Sequence, residues 1–263
     1  MNSFSVLKWY SSLEEQSHRR SYAYGRTYPL VCAVNTLPPF QIVRNHKTTI
    51  DYRAALYTEE GELVMENFDQ AISAELQLVT GTSYDVFVYD GSELDISLSE
   101  GAYYVVFNDN GEKYYSEVFT MTSDTECYMS IEWWDEEPFD FEGGRIFYDD
   151  RFKNRLLVKA ELGKPEYSYE EEGEERDGLF FPSKQLSTKT YRFSFLAPEY
   201  VCDALRLARL SSHVKITDTF GHSYNADSIL VTPEWLEDGF LANVVVEFTS
   251  ASVVKKLGIG YFC

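Results

Sequence analysis

The sequence of 263 residues contains only four cysteines and four histidines, and neither residue type forms a recognisable chemical site. The cysteines stand far apart, with no CxxC pair among them, at positions 32, 127, 202 and 263. This spacing argues against a zinc ribbon and against a small disulfide framework. We expect Cys32, Cys127 and Cys202 to be buried free thiols, and the terminal Cys263 to be exposed.

Catalytic signatures are missing as well. The sequence has no GxSxG, HExxH, P-loop or GxGxxG motif. None of the four histidines stands at the spacing of a known catalytic or metal site from a Ser, Cys or ligand residue; they are His18, His46, His213 and His222. We therefore predict that the protein is not an enzyme and that it uses no metal and no cofactor.

Positive charge is scarce, because 23 Lys and Arg stand against 43 Asp and Glu, which leaves a formal net charge of −20. Such a charge repels phosphate backbones and anionic membrane surfaces. No run of 18 apolar residues occurs, and the N-terminus lacks the apolar core of a signal peptide. We expect no membrane segment, no sequence-specific nucleic-acid binding, and synthesis in the cytoplasm without export. Residues 8–26 and 145–155 are locally basic.

Aromatic residues are abundant, with 20 Tyr and 18 Phe, and they favour strands. After an N-terminal arm, residues 1–28, short apolar stretches alternate with turn dipeptides up to Trp134. This spacing predicts a mainly β fold that begins with an antiparallel β-sandwich, residues 29–134. The oxygen-rich stretch 108–112 resembles a calcium loop in composition, but a hairpin turn at Asn110-Gly111 explains it fully.

The C-terminal half has a different pattern. A connector, residues 135–150, leads into an α+β domain, residues 151–263, in which one helix that begins at Pro198 packs on an antiparallel sheet. Val201, Ala204, Leu205 and Ala208 supply its apolar stripe. The sequence further predicts a polar loop over residues 167–178.

The candidate interface residues lie around the connector and in this loop. Trp133 and Trp134 are neighbours on a predicted strand, so one should pack in the core and the other at a domain or subunit contact. The acidic loop is either a solvated connection or a surface that docks on cations of an adjacent subunit. The candidate interface comprises Trp133, Trp134, Arg145, Arg151, Lys153, Arg155, Glu170, Glu171, Glu172, Glu174 and Glu175.

Two other functions remain open from the residues. Exposed tryptophans often stack on sugars, which would suit a carbohydrate-binding or adhesin-like sandwich. Paired acids near Trp133 and Trp134 would suit a glycoside hydrolase, with Glu132, Asp135 and Asp140 as the carboxylates to consider.

Two long segments carry a resemblance to a known group of proteins. They are KPEYSYEEEGEERDGLFFPSKQLSTKTYRFSFLAPEYVCDALRLARL and ITDTFGHSYNADSILVTPEWLEDGFLANVVVEF, and the similar stretch starts near Tyr114-Tyr115-Ser116-Glu117 and continues to the end. They resemble virion structural proteins of tailed phages of Bacteroidetes, including crAss-like phages.

The resemblance implies a structural component of a tail, neck, collar or baseplate that forms a homo-oligomeric ring or hub. It implies that the partners are further copies of the chain and neighbouring virion proteins, and that the protein ends up in the virion. The C-terminal layout is similar to the tail-tube and distal-tail folds.

Overall fold

The structure is a computed structural model that describes residues 5–12, 28, 30–48, 51–73, 75–81, 83–141, 144–146, 152–235 and 240–256. These ranges contain twenty strands, two α-helices and a 3-10 turn at Thr125–Cys127. The predicted mainly β fold is confirmed. Within the described residues, no helix is both long and apolar enough to cross a membrane.

Ten strands make up the N-terminal part, together with helix α1 (Phe68–Ile72). They are β1 (Trp9–Ser11), β2 (Leu30–Ala33), β3 (Phe40–Asn45), β4 (Tyr52–Thr58), β5 (Leu63–Met65), β6 (Leu76–Thr80), β7 (Tyr84–Tyr89), β8 (Gly101–Asp109), β9 (Glu112–Ser116) and β10 (Phe119–Thr122). One sheet has the order β1-β9-β8-β10-β2, in which β8 also pairs with β4 and β4 pairs with β5; the other has the order β3-β7-β6. All pairs are antiparallel except β2 with β10.

The two sheets face each other across a layer of aromatic side chains, as the sandwich prediction requires. The ring of Phe87 on β7 packs edge-on against Phe107 on β8, with centroids 5.0 Å apart, and Trp9 packs against Phe40 at 5.1 Å. Every residue of β7 after Tyr84 is buried. Both faces of this strand are therefore covered.

The N-terminal segment differs from the predicted arm. Val6, Leu7 and Trp9 are buried in the sandwich core, and β1 pairs with β9 at the edge of the larger sheet. Burial of three apolar side chains explains why this stretch packs on its own chain. Residues 13–27 lie outside the described part.

The predicted turn at Asn110-Gly111 is confirmed, because both residues have positive φ, 52° and 90°, between β8 and β9. This is the signature of a tight two-residue hairpin. After this hairpin, β9 ends at Ser116 and β10 begins at Phe119.

A buried ion network joins the two sheets of the sandwich. Arg44 on β3 contacts Asp85 on β7 and Asp109 on β8, and all three side chains are at most 3% exposed. Lys47 Nζ lies 3.0 Å from an Asp109 oxygen, and His46 Nδ1 lies 2.8 Å from an Asp85 oxygen. Charged groups this deeply buried are stable only while they are paired.

This network predicts a loss of stability in acid. Burial by itself raises the pKa of the Asp85 carboxyl, but contacts with His46, the Lys47 N–H and Arg44 outweigh burial and bring that pKa below its ordinary value. A carboxyl whose pKa is lower in the folded protein than in the unfolded protein stabilises the fold at pH values above its unfolded pKa, which is about 3.9. That contribution is lost as the pH falls through the folded pKa. Urea unfolding, measured at a series of pH values from neutral to about pH 2, should show this decrease in the free energy of unfolding.

Asp85→Asn is the control for the acid effect, because the amide does not titrate. The variant should be less stable than the wild type at neutral pH, and its stability should change less between neutral pH and strong acid. If the free energy of unfolding falls equally with pH in the two proteins, the acid sensitivity does not come from Asp85.

The C-terminal part has ten strands and helix α2 (Glu199–Ala208). They are β11 (Met129–Trp134), β12 (Phe139–Phe141), β13 (Gly144–Ile146), β14 (Asn154–Val158), β15 (Glu166–Arg176), β16 (Leu179–Pro198), β17 (His213–Thr217), β18 (Ser223–Asn225), β19 (Ser228–Trp235) and β20 (Leu241–Lys256). The sheets have the orders β14-β11-β17-β18, β12-β13 and β15-β16-β20-β19, all antiparallel.

Helix α2 lies between the two four-stranded sheets. It follows Pro198, which stands at the N-cap, and it contacts β11 of one sheet and β16, β19 and β20 of the other. Val201, Ala204, Leu205 and Ala208 are buried, so the predicted apolar stripe is confirmed. The predicted layout, one helix on an antiparallel sheet, is therefore present.

One strand pairs differently from the sequence prediction. The sequence predicts β11 as part of the sandwich, but β11 is an inner strand of the β14-β11-β17-β18 sheet. The partners explain this, since the apolar Leu156 and Ile216 both lie opposite Ile131 and all three are buried. The division of the chain into domains at residues 134 and 151 stays a prediction.

Candidate functional site

The acidic stretch predicted as a loop is instead a long β-hairpin. Strand β15 pairs with β16 from Glu166–Thr190 to Arg176–Leu179, so the paired stretch is roughly 35 Å long. Asp177 and Gly178 form the turn, both with positive φ, 52° and 76°. We call residues 166–189 the acidic hairpin and residues 174–181 its tip.

The prediction of a loop is wrong, because Asp177 and Gly178 form a hairpin turn in spite of the many glutamates that precede them. Six glutamates between residues 166 and 175 suggested a solvated connection. Asp177-Gly178, flanked by Tyr169 on one side and Phe180-Phe181 on the other, is nevertheless a strong hairpin signal. A bulge at Gly173 adds one residue to β16, and a Cβ at this position would collide with the Phe181 carbonyl, so glycine is required there.

Large apolar side chains are exposed along the acidic hairpin. Leu179, Phe180 and Phe181 at the tip are 64%, 50% and 52% exposed, and Tyr169 is 75% exposed. Because side chains alternate along a strand, Phe180 and Phe181 point to opposite faces of the hairpin. Clustered exposed apolar surface of this kind is typical of binding sites.

The predicted acidic residues lie on β15 and flank this apolar tip. Glu174 stands opposite Phe181 and Glu175 opposite Phe180. Nearer the base, Glu172 accepts a bond from Lys184 Nζ at 3.0 Å and Glu171 accepts one from Gln185 Nε2 at 2.7 Å. The tip therefore combines exposed rings with carboxylates, while part of the charge further down is compensated within the hairpin.

The two tryptophans have the two different environments that the alternation predicted. Trp133 is fully buried, and Trp134 is partly exposed on the other face of β11. The Trp134 ring stacks on His213 with centroids 5.2 Å apart, and Lys153 Nζ lies 4.1 Å from its centroid. Because β14 and β17 flank β11 on opposite sides, these neighbours cover much of the indole, which leaves little of it for stacking on a sugar.

The carboxylates proposed for a hydrolase have structural partners. Glu132 pairs with Arg155, Oε1 to Nε at 2.8 Å. Asp135 accepts bonds from the backbone N–H and the hydroxyl of Ser212, at 2.7 and 2.6 Å. Asp140 is on β12, and its side chain lies outside the described part. No group of three or more potential metal ligands occurs among the described residues.

A positively charged face covers the outer side of β14, β11 and β17. Arg155 and Lys215 stand on either side of Glu132, and Lys153 lies two residues before Arg155. Three cations and one carboxylate make this basic face net positive in a chain that carries −20. Of the four predicted cations, the structure places Lys153 and Arg155 here; the Arg145 side chain and Arg151 lie outside the described part.

A cleft of about 600 Å³ separates the basic face from the edge of the sandwich. Ser130, Glu132, Arg155 and Leu157 line one side, and the other side is formed by β2 and the loop that contains Leu37, Pro38 and Pro39. Phe220 lies at the rim and is 84% exposed. The cleft is thus partly apolar, and Arg155 is the one cation among its described lining residues.

Two acidic residues also line the cleft, Glu126 and Asp218. Asp218 is committed to its own turn, where it accepts bonds from the backbone N–H groups of Phe220 and His222, both at 2.9 Å. Burial raises its pKa, but bonds with His222 and Phe220 outweigh burial and lower the pKa below its ordinary value. Asp218 therefore orders the turn that presents Phe220.

The free thiols differ in exposure from the prediction. Cys32 is buried as expected, and burial raises the pKa of its thiol to about 12. Cys202 is half-buried, whereas Cys127 is exposed, because it ends the 3-10 turn on the surface. Cys263 lies outside the described residues.

Comparison with known proteins adds no assignment: no protein-family model matches the chain, and no curated protein matches it either.

Proposed function

We propose that the protein is a structural subunit of a phage virion, in the tail or the collar and neck assembly, and that it forms a homo-oligomeric ring through contacts between subunits. The observation that carries the proposal is the acidic hairpin, whose tip exposes Leu179, Phe180 and Phe181. The resemblance of residues 164–210 and 216–248 to virion proteins of tailed phages supports the place of this ring in a virion.

Exposed aromatic surface favours association. Each aromatic side chain buries about 150–250 Å² when it is covered, and aromatic anchors dominate the energy of protein interfaces. Two rings and a leucine at the end of a hairpin therefore form the centre of a candidate contact, and the glutamates beside them form a polar rim.

The charge distribution favours a ring over a symmetric pair. The acidic hairpin and the basic face are different surfaces of one chain, built on different sheets. If the acidic surface of one copy meets the basic surface of the next, the contact is head-to-tail, and repetition of such a contact closes a ring when the rotation permits. An enzyme or a sugar-binding module would not require this pair of surfaces.

The proposal predicts association that depends on both concentration and salt. Sedimentation velocity over roughly a hundredfold range of concentration should show a shift from monomers to a closed oligomer. Added salt should weaken the association, because it screens the exposed charges. Negative-stain microscopy of the concentrated sample should show rings.

Phe180→Ser with Phe181→Ser is the informative variant here, and Leu63→Ser is its matched control, because Leu63 is 53% exposed on the sandwich. The tip variant should stay monomeric and folded, while the control should associate like the wild type. If the wild type stays monomeric at every concentration and salt, alone and with neighbouring tail proteins, the ring proposal is wrong.

A further inference from the structure

Two buried polar side chains lie side by side in the C-terminal part of the chain. Trp133 on β11 and Asn154 on β14 stand opposite each other in the antiparallel pairing, and both residues are 0% exposed. Directly opposite residues project from the same face of a sheet, with Cβ atoms about 4.5–5.5 Å apart. The buried face of this sheet therefore brings an indole and a carboxamide together.

Both side chains have polar atoms without a partner. Trp133 Nε1, Asn154 Nδ2 and Asn154 Oδ1 are buried, and none of the three has a hydrogen-bond partner among the described residues. Buried donors and acceptors that remain unpaired are costly, so native proteins pair nearly all of them, either within the chain or with ordered water. Three such atoms on two adjacent residues point to a shared partner that is not part of the chain.

The surroundings restrict what this partner can be. The strand neighbours on the same face are apolar and buried, namely Ile131, Leu156 and Val214. Glu132 and Arg155 are adjacent in sequence, but the alternation of the strands turns their side chains to the opposite face. An ion would have no counter-charge from these strand neighbours, and burial of an unpaired ion is very costly. The partner must therefore be small and neutral.

Water meets the chemical requirements of the site. Its oxygen can accept a hydrogen bond from the indole N–H of Trp133, and one of its O–H groups can donate to Asn154 Oδ1. A second water bonded to the first can accept from Asn154 Nδ2. Buried waters typically make about three hydrogen bonds to polar groups that are otherwise unpaired. A simple anion, in contrast, would leave Asn154 Oδ1 without a donor.

We propose that Trp133 and Asn154 form an internal water site, in which ordered water accepts a hydrogen bond from Trp133 Nε1 and donates one to Asn154 Oδ1. The water links β11 and β14 through their side chains, in addition to the backbone pairing of the two strands. The site lies within one chain, so it is independent of the proposed oligomer.

NMR spectroscopy of the full-length protein detects such a water directly. The chain has four tryptophans, so the ¹⁵N-labelled protein gives four indole N–H signals, and the signal that Trp133→Phe removes belongs to Trp133. Ordered water should give this indole proton a dipolar cross-peak that has opposite signs in NOESY and ROESY spectra. Proton exchange with the solvent gives equal signs, so the two processes are distinguished.

Asn154→Leu is the informative variant, because leucine has a similar volume and cannot bind water. The water cross-peak of the Trp133 indole should be lost in this variant. The matched control is Arg155→Gln, one residue further along β14 and on its outer face, which should keep the cross-peak at wild-type intensity. The wild-type spectrum by itself tests whether water is present, so the test does not depend on the folding of a variant.

The outcomes distinguish water from its alternatives. A wild-type protein without the water cross-peak at Trp133 would overturn the proposal, because the indole would then bond within the chain or stay unpaired. A cross-peak that persists in folded Asn154→Leu would also overturn it, since Asn154 would not hold the water. An indole signal of Trp133 that shifts saturably with added chloride would assign the site to an anion and overturn it too. A wild-type cross-peak that Asn154→Leu abolishes and Arg155→Gln retains would establish the site.

Discussion

Replacing Arg44 by leucine should lower the free energy of unfolding by about 3–5 kcal/mol. Arg44 contacts Asp85 on its own sheet and Asp109 on the other sheet of the sandwich, and all three side chains are at most 3% exposed. Without the guanidinium, Asp85 and Asp109 remain buried as anions with fewer partners. The cost of leaving a buried charge unpaired is larger than the net contribution of the intact pair, so the loss should be severe.

The matched control is Arg53→Leu. Arg53 lies on β4 of the same sandwich, its side chain is 68% exposed, and it pairs with Asp51 at 3.4 Å. An exposed pair contributes little, so urea unfolding followed by tryptophan fluorescence should show almost no change. If the Arg44 variant is as stable as this control, the two carboxylates must reach water, and the network is not buried in solution.

The second large effect should come from Trp133. This residue is fully buried, and truncation of a buried tryptophan to alanine costs about 3–5 kcal/mol because it removes apolar contact and leaves a cavity. Trp134→Ala should cost about 1 kcal/mol, since it loses only the stack on His213 and the contact with Lys153. Two neighbouring tryptophans on one strand thus have very different expected effects.

Urea unfolding of both variants, monitored by far-UV circular dichroism, measures this difference. Trp133→Phe should recover part of the loss, because the ring fills most of the cavity. Similar losses for Trp133→Ala and Trp134→Ala would mean that β11 does not have one buried face and one exposed face.

The strands and turns were largely predictable from local patterns. The residue pair Asn110-Gly111 identified the hairpin between β8 and β9. The helix was found from its apolar stripe and from Pro198 before it. These signals work because they depend only on side-chain periodicity and on backbone angles that few residues adopt.

The sites were harder to predict because they depend on distant pairings. Lys153 and Arg155 were predicted from their closeness in sequence, but Lys215 joins them only because β17 pairs with β11. The cleft likewise needs β2 and the 36–39 loop beside β14, far away along the chain. No local pattern encodes such contacts. In the acidic hairpin, the run of glutamates is typical of a solvated loop, and it therefore gave no indication of strand β15.

The position of β15 also bears on aggregation. It is the outermost strand of its sheet, so its outer backbone groups form an edge that could pair with another chain and start an aggregate. Successive glutamates and the bulge at Gly173 oppose such edge-to-edge pairing. Negative charge along β15 should therefore oppose fibril-like growth between chains.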